Sequence, residues 1–205
     1  MKKSIIATMF ALVLTTSLFG CGEKSQHDIY KEIYKRYSNM ESFYAAATVT
    51  VRSDKSESVY SVRQFYEQPD KFAFFVDSPE EVAGSGYVAR GGEFKLKSGT
   101  GSDFDTKVAF PDSKNYMFLC DFFEEYYKSE ETSVVADNGI GTDKTVMSCF
   151  MSDKNPKRFM QSLTVDSQTY IPLTLTTYDI DKNPVIEVSF NDFKRNAKID
   201  QRIFN

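Results

Sequence analysis

The residue with the most specific chemistry in this sequence is Cys21. It follows a basic start, Met1-Lys2-Lys3, and a mostly apolar run from Ile5 to Phe19, the order of charge and hydrophobicity found in a secretory signal peptide. The segment Leu18-Phe19-Gly20-Cys21 resembles a bacterial lipobox. The sequence therefore predicts a signal peptide over residues 1–20 and a lipidated, palmitate-bearing N-terminus at Cys21. The alternatives are an uncleaved anchor or a buried cysteine, and the apolar run is short for a membrane span.

The remaining residues offer no conventional catalytic site. Hydrolysis needs a nucleophile with a base, or a metal with ligands, and the one histidine, His27, lies six residues after Cys21. One histidine and three cysteines do not make a conventional zinc site, and neither CxxC nor HExxH spacing occurs. A carboxylate pair acting as acid and base is the enzymatic alternative left open. We therefore expect a protein that is not an enzyme and that uses no metal and no cofactor.

Two further cysteines, Cys120 and Cys149, leave a question of pairing. An extracytoplasmic compartment permits a disulfide, but two cysteines at this separation follow no pattern. Two buried free thiols explain the sequence equally well. The sequence leaves both alternatives open.

The charge balance excludes one large class of partner. The sequence has 25 Lys and Arg residues against 29 Asp and Glu residues, and loss of Lys2 and Lys3 with the signal peptide leaves 23 against 29, a formal net charge of −6. An acidic protein repels the phosphates of nucleic acids, so we expect no nucleic-acid binding. No later apolar run approaches the length of a membrane span, so we expect the lipid on Cys21 to be the membrane attachment.

Two helices are predicted by the spacing of apolar residues. The first begins at His27-Asp28, with Asp28 as its N-cap, and we expect its apolar stripe to cover a sheet. That stripe consists of Ile29, Ile33 and Tyr37, flanked by Tyr30 and Tyr34. The second helix is predicted over Ser113 to Lys128, where Phe118, Phe122 and Glu125 or Tyr126 recur at helical spacing.

Elsewhere the sequence alternates with a period of two, which is typical of β-strands. The predicted strands are 42–52, 59–67, 71–77, 82–89, 93–97, 104–110, 131–136, 144–151, 159–166, 171–178 and 184–194. Many short antiparallel strands with two helices and no alternation of strand and helix predict a mainly β (α+β) fold. We expect a strongly curved antiparallel half-barrel of about eleven strands, with the helices covering its concave face.

The concave face has two interpretations. Its predicted strands bring apolar side chains to one side, and these either pack solidly on the helices or line a cavity for acyl chains. The candidate lining residues are Phe72, Phe74, Val76, Phe94, Leu96, Phe104, Val108 and Phe110.

The order of segments resembles the LolA/LolB lipoprotein-carrier superfamily over nearly the whole mature chain. The segments that carry this resemblance are Asn39 to Ala45, Gln68-Pro69-Asp70-Lys71-Phe72, Ser78-Pro79, Gly91-Gly92, Tyr170-Ile171-Pro172-Leu173 and the closing Phe190 to Asn196 with Ile199-Asp200 and Phe204. The resemblance implies a half-barrel with helices over its mouth.

Within that superfamily, the lipobox, the Tyr-rich first helix and the Asn196-Ala197-Lys198-Ile199-Asp200 segment are similar to those of GerS-like lipoproteins of clostridial spore germination. This resemblance implies a non-catalytic protein that binds and allosterically activates a zinc-dependent N-acetylmuramoyl-L-alanine amidase needed for muramic-δ-lactam formation in the spore cortex. It implies a lipid anchor on the extracytoplasmic side of a bacterial membrane. In a spore former, that is the space between mother-cell-derived and forespore membranes. No partner-binding residue transfers.

These observations set the domain boundaries and one rival function. We expect residues 21–27 to be the lipidated cysteine with a short tether and residues 28–205 to be a single LolA/LolB-like domain. We also expect a homodimer in which edge strands are exchanged to be accessible to this fold. The rival is a carrier or acceptor that binds lipids or lipoproteins in the concave cavity. A tether of a few residues argues against a shuttle between membranes.

Overall fold

The computed structural model describes residues 25–99, 104–109, 117–137 and 143–205, and for residues 104–109 it describes the backbone. The predicted signal peptide, Cys21 and Phe110 lie outside these residues. In the part described, an eleven-stranded antiparallel sheet carries two α-helices, which confirms the predicted mainly β half-barrel.

The first helix, α1 (Gln26–Ser38), covers the sheet as predicted, with Ile29, Ile33 and Tyr37 buried. The prediction that Asp28 caps it was wrong. Ser25 is the N-cap, because its hydroxyl oxygen accepts a hydrogen bond from the Asp28 backbone N–H at 3.2 Å. Asp28 instead lies in the first turn, where its negative charge interacts favourably with the positive N-terminal end of the helix dipole.

The sheet is a meander that is interrupted once. Its strands are β1 (Ser42–Arg52), β2 (Glu57–Glu67), β3 (Lys71–Ser78), β4 (Gly86–Arg90), β5 (Glu93–Lys97), β6 (Phe104–Ala109), β7 (Thr132–Asp137), β8 (Lys144–Asn155), β9 (Arg158–Asp166), β10 (Pro172–Tyr178) and β11 (Pro184–Arg195).

The strand order places the first and last strands side by side in the middle of the sheet. The order is β6-β5-β4-β3-β2-β1-β11-β10-β9-β8-β7. The chain therefore starts at the centre, reaches one edge at β6, crosses to the opposite edge at β7 and returns to the centre. The second helix, α2 (Leu119–Lys128), belongs to the crossing segment.

One strand begins later than its sequence pattern predicted. The fourth strand was expected from residue 82, but Glu80–Val82 form a 3-10 turn and β4 starts at Gly86. Gly84 in this connection has a φ of +79°, which glycine adopts without strain. At Gly86 a Cβ atom would lie 2.0 Å from the Phe74 carbonyl oxygen, so a side chain is excluded where β4 meets β3.

Helix α2 ends at Lys128 as predicted but is shorter than the sequence pattern indicated. Residues 113–116 lie outside the described part of the chain, and Phe118 precedes the helix with an extended backbone (φ −94°, ψ 132°). The predicted helical spacing is confirmed, because Phe122, Glu125 and Tyr126 are all buried together with Leu119. Phe118 is buried as well, so the row of buried apolar residues begins before the first residue of the helix.

The main core lies between the two helices and the concave face of the sheet. Phe118 is central to one part of it, since its ring lies 5.7 Å from Phe72, 6.2 Å from Phe74, 6.1 Å from Tyr87 and 6.5 Å from Phe43 between centroids. The same apolar cluster includes Leu119 and Phe122 from α2 and the buried residues of α1. This part of the concave face is therefore filled with side chains.

A second, smaller core lies on the opposite, convex face. Because side chains alternate across a strand, Phe65 and Ala73 point away from the helices. The C-terminal segment covers them with Ile199 and Phe204, and Val88 completes the buried set. The tail ends in a 3-10 turn, Gln201–Phe204.

Candidate protein-binding surface

Four tyrosines gather where α1 approaches α2, and one of them, Tyr126, is buried. The ring centroids are 6.0 Å apart for Tyr30 and Tyr34, 6.3 Å for Tyr30 and Tyr126, and 5.2 Å for Tyr34 and Tyr127. Tyr34 is 46% exposed and Tyr127 is 39% exposed. We call Tyr30, Tyr34, Tyr126 and Tyr127 the tyrosine surface.

The sheet edge fixes one end of the tyrosine surface. The Tyr126 hydroxyl donates a hydrogen bond of 3.3 Å to the Ser133 carbonyl oxygen on the edge strand β7. Burial raises the pKa of Tyr126 and, together with the neighbouring tyrosines, raises that of Tyr127. Both phenols are neutral at physiological pH, as they are at the ordinary tyrosine pKa of about 10. A neutral aromatic surface with hydroxyl groups suits a protein partner, because tyrosine contributes both apolar area and hydrogen bonds.

Beyond the C-terminal end of α2 lies an open groove with an apolar floor. The rings of Phe150 and Phe159 meet edge to face at 5.2 Å, and Phe150 is part-exposed. The groove has a volume of about 650 Å³, and Met151 also lines it. Buried Glu125 holds its wall, since its carboxylate accepts a 2.8 Å hydrogen bond from the Ser152 backbone N–H.

The C-terminal end of α1 is fixed to the turn between β9 and β10. The Tyr37 hydroxyl donates a buried 2.7 Å hydrogen bond to the Tyr170 carbonyl oxygen. Arg36 donates a 2.8 Å hydrogen bond to the Thr169 carbonyl oxygen, and its guanidinium carbon lies 4.8 Å from the centroid of the Tyr170 ring. Burial raises the pKa of Tyr37, and the nearby charges of Arg195 and Arg36 oppose that shift.

The structure brings some of the predicted lining residues together. Phe74 is buried, and Phe72 and Val76 pack against the same cluster. Phe94 joins them through Tyr87, whose ring lies 5.1 Å from Phe94 and 5.5 Å from Phe74. These contacts show ring packing, and the role of the residues in a cavity stays a prediction.

The other predicted lining residues lie farther out or outside the described side chains. Leu96 is 44% exposed, although its strand position places it opposite Tyr87. Phe104 and Val108 lie on β6, opposite Leu96 and Phe94 in the backbone register. Their side chains, like Phe110, are outside the described part.

The other candidates for chemistry are placed as follows. Cys120 and Cys149 are not joined in a disulfide, and burial raises the pKa of Cys120 far above its usual value. His27 is exposed at the start of α1. Across the described ranges, no group of three or more His, Cys, Asp or Glu residues is arranged to hold a metal ion. In the same ranges, no helix has the length and apolar character needed to cross a membrane.

Sequence reasoning missed the tyrosine surface as a unit. It placed Tyr30 and Tyr34 beside the buried stripe of α1 but did not connect them with α2. The only available signal was the run Tyr126-Tyr127. Two adjacent residues of a helix point in different directions, so one of these tyrosines faces the core while the other faces outward. One of the two, Tyr126, is buried, and Tyr127 is exposed.

Three comparisons relate this chain to known proteins. The chain is 21% identical over its full length to the sporulation protein YdcC of Bacillus subtilis (strain 168) and spans about 60% of that protein's length. Its fold matches a chain in the structure of the CwlD amidase from Clostridioides difficile in complex with the GerS lipoprotein. That match has 25% identity and a TM-score of 0.51, and it covers 84% of this chain and 97% of the other.

The LolA superfamily protein NE2245 from Nitrosomonas europaea is also similar, with 11% identity, a TM-score of 0.46 and coverage of 89% of this chain and 98% of the other. The GerS name in the predicted resemblance thus recurs in the complex that contains a similar chain. A family profile described as sporulation protein YdcC-like matches residues 1–204. The chain therefore belongs to the YdcC-like family of sporulation proteins.

Proposed function

We propose that this protein is a non-catalytic, lipid-anchored accessory protein of spore germination. It binds and allosterically activates a zinc-dependent N-acetylmuramoyl-L-alanine amidase that is needed to form muramic-δ-lactam in the cell-wall cortex. The observation that carries the proposal is the match to a chain of the CwlD–GerS complex, which this chain covers almost completely. Membership of a sporulation family supports the same setting.

The tyrosine surface supports a binding role. Its two exposed members, Tyr34 and Tyr127, come from different helices and touch each other, so the surface is held in place before a partner arrives. Such preorganisation lowers the entropy lost on association. Activation requires only that the surface binds the active conformation of the amidase more tightly than the inactive one.

The direct test uses the purified mature protein and the amidase from the same organism. We expect a complex by calorimetry and a higher amidase turnover on cortex peptidoglycan when the protein is added. The double variant Tyr34→Ala, Tyr127→Ala is expected to lose at least about tenfold in affinity, because exposed aromatic anchors carry much of the binding energy. Val59→Ala, an exposed apolar residue on β2, is the matched control. A wild-type protein that neither binds the amidase nor alters its turnover overturns the proposal.

The proposed location depends on Cys21. A lipid on residue 21, followed by the short tether of residues 21–27, holds the domain of residues 28–205 on the extracytoplasmic side of the membrane and raises its local concentration beside a partner. In a sporulating cell, this is the space between the two membranes around the forespore. We expect Cys21→Ala to release a folded protein into the soluble fraction, measured by cell fractionation. Retention of this variant in the membrane contradicts the anchor.

The rival carrier function needs room for acyl chains on the concave face. Phe118 occupies part of that face and contacts Phe72 and Phe74, so an acyl chain there must displace rings that are already packed. We expect native mass spectrometry of the purified protein to show no bound lipid. A stoichiometric lipid that survives purification favours the carrier.

The proposed strand-exchanged homodimer concerns the sheet edges. Among the described residues, β6 and β7 each pair with one strand, so each has one edge without a strand partner, although the Ser133 carbonyl of β7 already accepts a hydrogen bond from Tyr126. Light scattering coupled to size exclusion distinguishes monomer from dimer. A monomer at all accessible concentrations contradicts the exchange.

A further inference from the structure

A small pocket opens at the rim of the half-barrel and shares no lining residue with the tyrosine surface. It lies between the C-terminal end of α1, the turn between β9 and β10, and the end of β11. Its lining consists of Tyr37, Thr169, Tyr170, Ile171, Phe193 and Arg195, and its volume is about 220 Å³. This volume suits one amino-acid side chain.

Three of the six residues that line the pocket are aromatic. Tyr170 has a φ of +56°, a left-handed conformation that is costly for a bulky side chain. The buried hydrogen bond from Tyr37 and the stacked guanidinium of Arg36 hold it there. Because Tyr37 and Tyr170 are both buried, these walls are fixed in the absence of a ligand.

The polar element of the pocket is Arg195, an exposed side chain at the end of β11. Within the part of the chain that the structure describes, its guanidinium forms no ion pair and no hydrogen bond with another protein group. The carboxylate in the adjoining turn, that of Asp166, accepts hydrogen bonds from the Thr169 backbone N–H at 2.7 Å and hydroxyl at 2.6 Å. Arg36 adds a second positive charge beside the pocket.

We propose that this pocket receives a carboxylate side chain, an Asp or Glu, from the surface of the partner amidase. The proposal rests on the proposed function. The flat fork of an arginine matches the two oxygens of a carboxylate, and the aromatic walls match the methylene groups that carry it. Ile171, which is 43% exposed at the mouth, gives the surrounding partner surface an apolar contact.

The test measures amidase affinity for charge-reversal variants. Arg195→Glu places a like charge opposite the incoming carboxylate and is expected to weaken binding at least about 30-fold, the equivalent of roughly 2 kcal/mol. Arg195→Lys keeps the positive charge but loses the planar fork of donors. Its affinity for the amidase is therefore expected to lie between that of the wild type and that of Arg195→Glu. Arg90→Glu is the matched control, because Arg90 is exposed on the β4–β5 hairpin. Circular dichroism checks that each variant is folded.

A reciprocal screen identifies the partner residue. Acidic surface residues of the amidase are replaced singly by arginine, and one replacement is expected to restore binding to Arg195→Glu. If wild-type protein does not bind the amidase, the proposed function fails. If wild-type protein binds and Arg195→Glu binds as well as Arg90→Glu, the pocket assignment alone is overturned. Displacement of the amidase by millimolar N-acetylglutamate supports the carboxylate chemistry, and its absence together with failed rescue overturns it.

Discussion

The two faces of the sheet are covered in different ways. On the concave side, two helices contribute continuous rows of buried residues, and the cluster extends across strands from both halves of the chain. On the convex side, a short C-terminal tail places two buried side chains, Ile199 and Phe204, on three strand residues. The concave cover is part of the main core, whereas the convex cover forms a small separate cluster, supported by hydrogen bonds such as that of 2.7 Å between Lys71 and Gln201.

This difference indicates which residues stabilise the fold and which surfaces are available to bind a partner. Residues that fill the concave face are committed to packing, so the sites free for a partner are the outward sides of the helices and the rim. We expect the convex cover to open without disrupting the main core, because the two clusters share no buried residue and separate units of structure open independently. Three substitutions test this contrast.

The largest effect is expected for Phe118→Ala. The substitution leaves a cavity among Phe43, Phe72, Phe74 and Tyr87, and removal of a buried phenylalanine costs about 3–5 kcal/mol of unfolding free energy. Urea unfolding followed by circular dichroism measures it. A loss below about 1 kcal/mol means that the concave face is loosely packed, which favours the carrier hypothesis.

A smaller effect is expected for Phe204→Ala on the convex face. The ring is buried, but the tail relaxes around the gap, so we expect a loss of about 2 kcal/mol. Hydrogen exchange is expected to rise in the tail and at Ala73 and Val88, while α1 keeps its protection. Ile203→Ala, which is only partly buried at the same cluster, is the control. Equal exchange in α1 and the tail contradicts separate covers.

The smallest effect is expected for Tyr37→Phe, at the rim between the two faces. Loss of the 2.7 Å hydrogen bond to the Tyr170 carbonyl costs about 1 kcal/mol at pH 8. Burial raises the pKa of Tyr37, so its contribution is complete below the unfolded pKa of about 10 and declines as the pH rises above it. We therefore expect the difference between wild type and variant to narrow above pH 10, measured by urea unfolding at several pH values.

Exposed Tyr34→Phe is the control for this pH series and is expected to change the unfolding free energy by less than about 0.5 kcal/mol. The pKa of Tyr66 is also raised, to about 12, mainly by burial, so both proteins lose stability at alkaline pH. A difference between wild type and Tyr37→Phe that stays constant up to pH 11 contradicts the assignment.

The sequence predicted the sheet well because the alternation of apolar residues reports directly on which side of a strand is buried. The stripe of Ile29, Ile33 and Tyr37 predicted α1 for the same reason. The predicted N-cap was wrong because Ser25 and Asp28 both suit the start of a helix, and only the hydrogen bond to the Ser25 hydroxyl distinguishes them. The strand β4 begins only at Gly86 because of a turn and a close backbone approach. Neither feature leaves a repeating pattern of apolar residues in the sequence.

The candidate sites were less predictable than the fold. The tyrosine surface depends on how two helices separated by eighty residues meet, and the rim pocket joins Tyr37, Tyr170 and Arg195 from three distant segments. No local pattern indicates such a meeting. The left-handed conformation of Tyr170 is likewise imposed by tertiary contacts, since its residue type disfavours it.

The central pairing of β1 with β11 has a consequence for how the protein is made. Phe43 lies opposite Arg195, so the middle of the sheet joins the two most distant parts of the strand sequence. The outer hairpins form between strands that are neighbours in the sequence. The pairing of β1 with β11 instead closes a long loop, which costs conformational entropy and makes this step slow. A chain synthesised from its N-terminus therefore keeps one side of β1 unpaired until β11 has been made, so the centre of the sheet is completed late.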